Sequence, residues 1–344
     1  VPLKDVAQIL SHNTAQTFLN FGAYLQAFLH YTFGPSLMNI LCLPFFGIWV
    51  VIMVYILSLE LYNHRVAILS SAMVALFPPF LLYSTSNIRM IIGVLAFLIT
   101  IYSLIKFFKK NSLKNLLPLL LATLLIYFSK SRLLIPYAVI VSLISFFIIR
   151  MNSIVRGSLI LIICISAFTL IKIHPMANAH YHAFTSSLLD THKFFATYEN
   201  GNNYKIFDED FYEQTTFINY PLSKVVKALP KGIAYYILCP FLWNMRSFNQ
   251  LIAYPHTLLW YFILAFSLFG FWMGFQFHFS QTFCITVFML YWIILFSLAS
   301  GNIGTAARQR DLLTPLFCIF ASVGLLRLFE LFPLNKPLLR NYSQ

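Results

Sequence analysis

Nine stretches of this chain are apolar over roughly the length of a membrane crossing, and this pattern restricts the fold more than any other feature. The stretches cover residues 37–58, 66–82, 90–108, 115–128, 133–149, 157–173, 256–275, 282–299 and 312–332. A transmembrane helix needs about 20 mostly apolar residues. Charged residues make up only 10% of the 344, whereas soluble domains carry about 25%. The sequence therefore predicts an all-α, polytopic transmembrane helix bundle with about nine visible spans.

Two segments depart from this pattern. Residues 18–33 are aromatic and mixed in polarity, which favours an interfacial helix. The interval 174–255 is polar and contains six of the ten acidic residues, so it predicts a small extramembrane subdomain. The predicted organisation is an N-terminal bundle over residues 1–173, the loop subdomain over 174–255, and C-terminal transmembrane helices over 256–344.

Two motifs indicate local structure inside the interval 174–255. The stretch "FFATYENGNNYKIF" has aromatic residues on both sides of Asn200-Gly201, which predicts a β-hairpin. The stretch "YPLSKVVKALPKGIAYYILCPFLW" predicts an amphipathic segment that returns the chain to the membrane surface.

Lysine and arginine in the loops predict the orientation, because cytoplasmic loops are enriched in these residues. With nine spans, one face carries nine basic residues and the opposite face carries six. The first set is Arg65, Lys106, Lys109, Lys110, Lys114, Arg150, Arg156, Lys336 and Arg340, and the second is Lys4, Arg89, Lys130, Arg132, Arg308 and Arg310. The first face is therefore predicted to be cytoplasmic, with residues 174–255 outside.

Five of the outward cations lie at helix ends, at one predicted membrane level: Arg89, Lys130, Arg132, Arg308 and Arg310. Each can pair with a lipid phosphate or a loop carboxylate. Alternatively, they form a shared pocket for a phosphate or diphosphate, which arginine binds through its planar fork.

The stretch "GNIGTAARQRDLLTPL" contains two of these cations, Arg308 and Arg310. Two positions on a helix differ by about 200°, so only one guanidinium can face the protein interior. Arg308 precedes Asp311 by three residues and Pro315 by seven, and this spacing predicts that Arg308 is the inward one.

Several stretches resemble bacterial membrane glycosyltransferases of the GT-C class, the group of the protein mannosyltransferases. They are "GAYLQAFLHYTFGPSLMNILCL", "YNHRVAILSSAMVALFPPFLLYSTSNIRMIIG", "LCPFLWNM" and "GNIGTAARQRDLLTPLFCIFASVGL". The resemblance implies transfer of a sugar from a polyprenyl-phosphate donor to a glycan or lipid acceptor on the outer face of a bacterial inner membrane, during cell-surface polysaccharide assembly. It also implies a carboxylate in the first outer loop, where Asp5 is the candidate. A further helix missing before Val1 is expected on the same grounds.

A second resemblance competes with the first. Polymerases and ligases of O-antigen type are also polytopic, with a large outer loop and outward arginines that engage lipid diphosphates, and "SNIRM" is similar to helix starts of exopolysaccharide polymerases. A transporter of lipid-linked sugars is the third candidate. It is less favoured, because transporters carry inverted repeats and mid-helix charges, and neither feature is visible in this sequence.

The candidate catalytic residues are carboxylates and a histidine that can remove a proton from a sugar hydroxyl. They are Asp5, Asp208, Asp210 and His256. Asp311 is favoured as a helix cap or ion-pair partner. The group Asp208-Glu209-Asp210 with Glu213 can hold a divalent cation, but no metal centre or other cofactor is predicted. Membrane lipids are expected partners, whereas the scattered basic residues argue against nucleic acid.

Overall fold

The computed structural model describes residues 31–32, 43–86, 88–110, 117–130, 133–148, 186, 188–197, 203–214, 220–242 and 254–331. These residues are almost entirely helical and contain no strand. In chain order the helices are α1 Leu43–Leu61, α2 His64–Leu76, α3 Pro78–Ser86, α4 Ile88–Lys110, α5 Leu117–Lys130, α6 Leu134–Ile148, α7 188–197, α8 Glu209–Glu213, α9 Leu222–Leu238, α10 Tyr254–Phe277, α11 Phe279–Ala299, α12 Ile303–Arg310 and α13 Thr314–Leu331.

Four of these helices are long and apolar enough to cross a membrane, namely those that contain Pro44–Leu61, Met90–Phe107, Tyr254–Phe277 and Phe279–Ala299. The helices α12 and α13 meet at a bend of 64° and count as a fifth span if they are taken as one broken crossing. The prediction of an all-α chain with membrane-spanning helices is therefore confirmed for the described residues. The number of nine spans stays a prediction.

Two of the predicted spans are interrupted in the structure. The stretch 66–82 is divided between α2 and α3, because Pro78 and Pro79 begin a new helix and proline fits the first turn of a helix without the loss of a backbone hydrogen bond that it causes in the interior. The side-chain oxygen of Asn63 fixes the start of α2 by accepting a hydrogen bond from the Val66 amide at 3.0 Å. The stretch 312–332 is preceded by the separate short helix α12, whereas the phase argument for Arg308 and Arg310 assumed one helix that continues through Pro315.

The β-hairpin predicted around Asn200-Gly201 is wrong. Residues 188–197 are helical, so the first predicted strand does not exist. On the other side, Asn203 forms only an isolated bridge with Asn302. Phe194 and Phe195 lie in α7, and Tyr204 and Phe207 lie in irregular backbone. The predicted interfacial helix 18–33, except for residues 31–32, and the predicted span 157–173 lie outside the described residues.

The chain divides into two compact units. The first comprises Val1–Leu143, Ile252–Thr286 and Asp311–Gln344, and the second comprises Ile144–Leu251 and Val287–Arg310. The division into 1–173, 174–255 and 256–344 stays a prediction.

The first unit is built around the pair α10 and α13, which pack closely because glycines face each other. A Cβ atom on Gly270 would collide with the carbonyl of Phe320, and one on Gly324 would collide with the carbonyl of Phe266. Such small residues let the backbones of membrane helices approach each other. Around this contact Trp260 is fully buried and meets the ring of Phe317 edge-on at 5.2 Å.

A cluster of ion pairs joins the C-terminal ends of α1 and α4 in the same unit. The Glu60 carboxylate accepts from Lys106 Nζ at 2.8 Å and from Lys109 Nζ at 2.9 Å. Lys109 also donates to the Glu60 backbone carbonyl at 2.7 Å. These contacts bring the C-terminal ends of α1 and α4 together, as expected if the two helices cross the membrane in the same direction.

Candidate functional site

The candidate site is the short helix α12 in the second unit, which carries both arginines of the stretch 301–310. Asn302 caps its N-terminus: the side-chain oxygen accepts from the Gly304 amide at 2.8 Å and from the Thr305 amide at 3.3 Å. Asparagine is among the preferred N-cap residues because it satisfies amides that have no partner within the helix. The sequence therefore fixes where α12 begins.

The residues before α12 pack tightly against the described part of the polar interval. A Cβ on Gly301 would lie 2.5 Å from the carbonyl of His192 and 2.7 Å from the amide of Ala196, so only glycine fits against α7. The Gly301 carbonyl accepts from the Tyr204 amide at 2.9 Å, and Asn302 Nδ2 donates to Asn203 Oδ1 at 2.9 Å.

Arg310, at the end of α12, is fully buried. Its Nη1 donates to the backbone carbonyl of Ile237 at 3.0 Å and to that of Cys239 at 2.6 Å. Both carbonyls belong to the C-terminal end of α9, where unsatisfied carbonyls and the helix dipole favour a cation. The guanidinium therefore closes the end of α9 and joins it to α12.

Arg308 is exposed on the same helix, so the prediction that Arg308 is the inward arginine is wrong. Its Nε donates to the Gly304 carbonyl at 3.3 Å and its Nη2 to Thr305 Oγ1 at 3.4 Å, both within α12. The expected opposition of the two guanidiniums does occur. The error came from taking Asp311 and Pro315 as a continuation of the same helix, whereas the chain bends by 64° between α12 and α13.

A buried histidine that the sequence analysis missed lies beside this helix. His192 on α7 is fully buried, and its Nε2 lies 3.1 Å from Tyr212 Oη. Tyr212 Oη accepts from the Ile206 amide at 3.0 Å and from the Phe207 amide at 3.4 Å, which occupies both lone pairs, so we assign its proton to the bond with His192. The neutral imidazole then carries its own proton on Nδ1.

Burial lowers the pKa of His192 to about 4, and a hydrogen bond with the Ser300 backbone offsets part of that shift. The imidazole is therefore neutral at ordinary pH. The helical spacing of Leu189, His192 and Ala196, all buried, was the feature that could have revealed it. This spacing of three and four residues is typical of one face of a helix, but the adjacent aromatic residues were interpreted as a β-hairpin instead.

Two of the predicted catalytic carboxylates lie near one another at the start of α8. Asp208 and Asp210 are exposed, and Asp208 Oδ2 lies 3.7 Å from Lys224 Nζ. Asp208, Lys224 and Tyr220 line a surface cleft of about 180 Å³. The pKa of Tyr220 is raised by burial and by the negative charges of Asp208 and Asp210. This cleft combines acidic, basic and aromatic groups that a sugar can contact.

The other predicted site residues have separate outcomes. His256 is half-buried in the first unit, where its ring lies 5.1 Å from that of Phe77. The backbones of Arg89 and Lys130 are helical. Asp5 and Arg132 lie outside the described residues. Phosphate binding and catalysis by these residues stay predictions. Within the described ranges, no group of three or more His, Cys, Asp or Glu side chains can hold a metal ion.

Comparison of the chain with models of protein families, with curated proteins and with solved structures found no match. The class of the protein therefore follows from its own fold and composition. The long apolar helices are those of an α-helical integral membrane protein.

Proposed function

We propose that the protein is a membrane glycosyltransferase that moves a sugar from a polyprenyl-phosphate-linked donor to a glycan or lipid acceptor. The observation that supports this proposal is the exposed Arg308 on a capped helix at a break in an apolar span. A cation in this position suits the phosphate of a lipid-linked substrate, because arginine binds phosphate through two parallel hydrogen bonds.

The proposed topology has nine spans, with residues 174–255 on the outer face of a bacterial inner membrane. The excess of lysine and arginine in the opposite loops supports this orientation. The stretches similar to GT-C glycosyltransferases support the choice of substrate class. Cell-surface polysaccharide assembly is the process to which this activity belongs.

The proposed chemistry is the displacement of a phosphate by a hydroxyl. A base takes the proton of the acceptor hydroxyl, whose oxygen attacks the anomeric carbon of the donor sugar. The bond between that carbon and the phosphate oxygen breaks, and the electron pair leaves with the phosphate. Arg308 stabilises the departing phosphate, and Asp208 or Asp210 is the candidate base among the described residues.

The second candidate is a repeat-unit polymerase or ligase that acts on a lipid-diphosphate-linked oligosaccharide. One observation favours it: the described part of the polar interval packs on the residues that lead into α12, through Asn203 on Asn302 and through Tyr204 on Gly301. The resemblance to O-antigen polymerases implies a large outer loop and outward arginines, and this packing supports the proposal that the two form one site. The two candidates differ in donor and in product length.

The test uses purified protein in nanodiscs with two donor panels, polyprenyl-phosphate monosaccharides and polyprenyl-diphosphate oligosaccharides. We expect turnover of at least one donor. R308A should lower kcat/KM by about 100-fold, the typical effect of removing one donor that stabilises a developing anion. R308K should retain more activity than R308A, because it keeps the charge but loses the fork.

R65A is the matched control, since Arg65 is also exposed but lies at the start of α2, and its activity should stay within about twofold of wild type. Single added sugars support the transferase, and a ladder of polymers supports the polymerase. Solute flux in liposomes without binding of any lipid-linked sugar would favour a transporter and contradict both candidates.

A further inference from the structure

Helix α9 presents three different faces. Ala228, Gly232 and Tyr236 are buried and follow one another at four-residue intervals. Leu222 and Val226, also four residues apart, are 52% and 57% exposed. At 100° per residue, this apolar stripe is turned about 80° or more from the buried face.

The third face of α9 is cationic. Lys227 and Lys231 are exposed and four residues apart, so they lie one above the other on the helix surface. Neither forms an ion pair with any described residue, whereas Lys224 lies 3.7 Å from Asp208. At 100° per residue the two lysines lie about 140° around the helix from the apolar stripe, so the exposed part of α9 carries an apolar flank on one side and a cationic flank on the other. This is the composition of helices that lie in a membrane–water interface.

The packing of the buried face shows where α9 lies in the second unit. A Cβ on Gly232 would stand 3.1 Å from the carbonyl of Ser297. The ring of Tyr236 lies 6.2 Å from that of Phe296, at an interplanar angle of 30°. Phe296 and Ser297 belong to the last turn of α11, a candidate membrane span that ends at Ala299. Helix α9 therefore packs against the end of a span, at the depth where lipid headgroups begin.

We propose that α9 is an interfacial helix that binds anionic phospholipid headgroups. Leu222 and Val226 enter the boundary between headgroups and acyl chains, and Lys227 and Lys231 extend their side chains to the lipid phosphates. The partner is the anionic bilayer surface itself, because only this surface offers an apolar layer and negative charge within one helix diameter. This inference depends on the membrane spans and not on the proposed glycosyltransferase activity.

The test identifies the lipid that touches α9 in the intact protein. Val226 is replaced by the photo-cross-linking residue p-benzoylphenylalanine, and the protein is placed in nanodiscs with equal amounts of phosphatidylglycerol and phosphatidylcholine. After irradiation, mass spectrometry should find lipid adducts, with phosphatidylglycerol in excess by about fivefold, the effect of one lysine near an anionic surface. In the K227Q/K231Q background the two lipids should react about equally.

Two controls keep the interpretation specific. The same probe at Glu213, which is exposed at the end of α8, should form no lipid adduct. K205Q also removes an exposed lysine of the second unit but lies outside α9, so it should leave the phosphatidylglycerol excess unchanged. A Val226 probe without lipid adducts would overturn the interfacial position. If the Val226 probe protein with both lysines intact forms lipid adducts but shows no excess of phosphatidylglycerol, the recognition of anionic headgroups is overturned.

Discussion

Replacing Arg310 should destabilise the protein strongly, because its buried guanidinium satisfies two backbone carbonyls at the end of α9. In R310M, the carbonyls of Ile237 and Cys239 lose hydrogen bonds of 3.0 and 2.6 Å. A hydrogen bond to a charged group contributes about 1.5–3 kcal/mol. The substitution also removes the free-energy penalty of keeping a charge out of water, which offsets part of the stability lost with the two hydrogen bonds. We expect a net loss of about 3 kcal/mol, at the upper end of ordinary substitutions.

The matched control is R308M, which removes the same group two positions away on the same helix. Arg308 is exposed and bonds only within α12, so its loss should cost about 0.5 kcal/mol or less. R310K should fall between the two, because an ammonium keeps the charge and can donate to carbonyls, but the shorter side chain of lysine does not place its nitrogen where Nη1 lies.

The free energy of unfolding is measured by titration with sodium dodecyl sulfate in mixed micelles, followed by tryptophan fluorescence. The reasoning is refuted if R310M is as stable as wild type within about 0.5 kcal/mol. It is equally refuted if R308M costs as much as R310M, since burial would then not distinguish the two arginines.

Three further predictions concern other parts of the fold. G270A should lose about 1–3 kcal/mol of stability in the same titration, because its methyl group meets the Phe320 carbonyl, whereas G304A should lose less, because its methyl group would approach only the side-chain oxygen of Asn302, at 3.2 Å. Burial lowers the pKa of His192 to about 4 in the folded protein, so its contribution to stability is complete above pH 6.5. The free energy of unfolding should fall by about 3 kcal/mol between pH 6.5 and 4, as protons bind the unfolded state more readily than the folded one. This dependence of stability on pH should be absent in H192Q. Burial raises the pKa of Cys239 to about 12, so iodoacetamide at pH 8 should alkylate this thiol only after unfolding, as mass spectrometry of the labelled peptide will show.

The sequence was sufficient to predict the helical membrane character, because long apolar runs have one physical solution in lipid. It was less informative where a run is interrupted. The breaks at Pro78 and between α12 and α13 depend on local caps and on tertiary packing. Hydropathy averages over such breaks, so a span and a bent helix pair have the same profile.

The errors at the candidate site have a common physical origin. Periodicity describes a residue relative to its own helix, and it requires knowing where that helix begins and ends. Arg308 was predicted to face inward because its helical position was counted relative to Asp311 and Pro315. Both residues lie beyond the end of α12, so they do not share its helical periodicity. Likewise, the aromatic run after His192 matches a strand in composition, while burial of Leu189 and Ala196 on one side of α7 shows a helix. Where a helix ends and which of its residues are buried depend here on contacts between residues far apart in sequence, such as Arg310 with Ile237. Such contacts leave no pattern in the local sequence.

The opposition of Arg308 and Arg310 connects the stability of α12 with its proposed role. A helix of eight residues is too short to be stable by its own hydrogen bonds. Asn302 holds its N-terminus, and Arg310 holds its C-terminus on the carbonyls of α9. Because both ends are fixed, the rotation of α12 is fixed as well, and Arg308 is presented outward without having to be ordered when a ligand binds. A preformed cation costs less entropy to engage than a mobile one. The buried arginine thus acts as a positioning residue for the exposed one, and loss of Arg310 should weaken anion binding at Arg308 even where the protein remains folded.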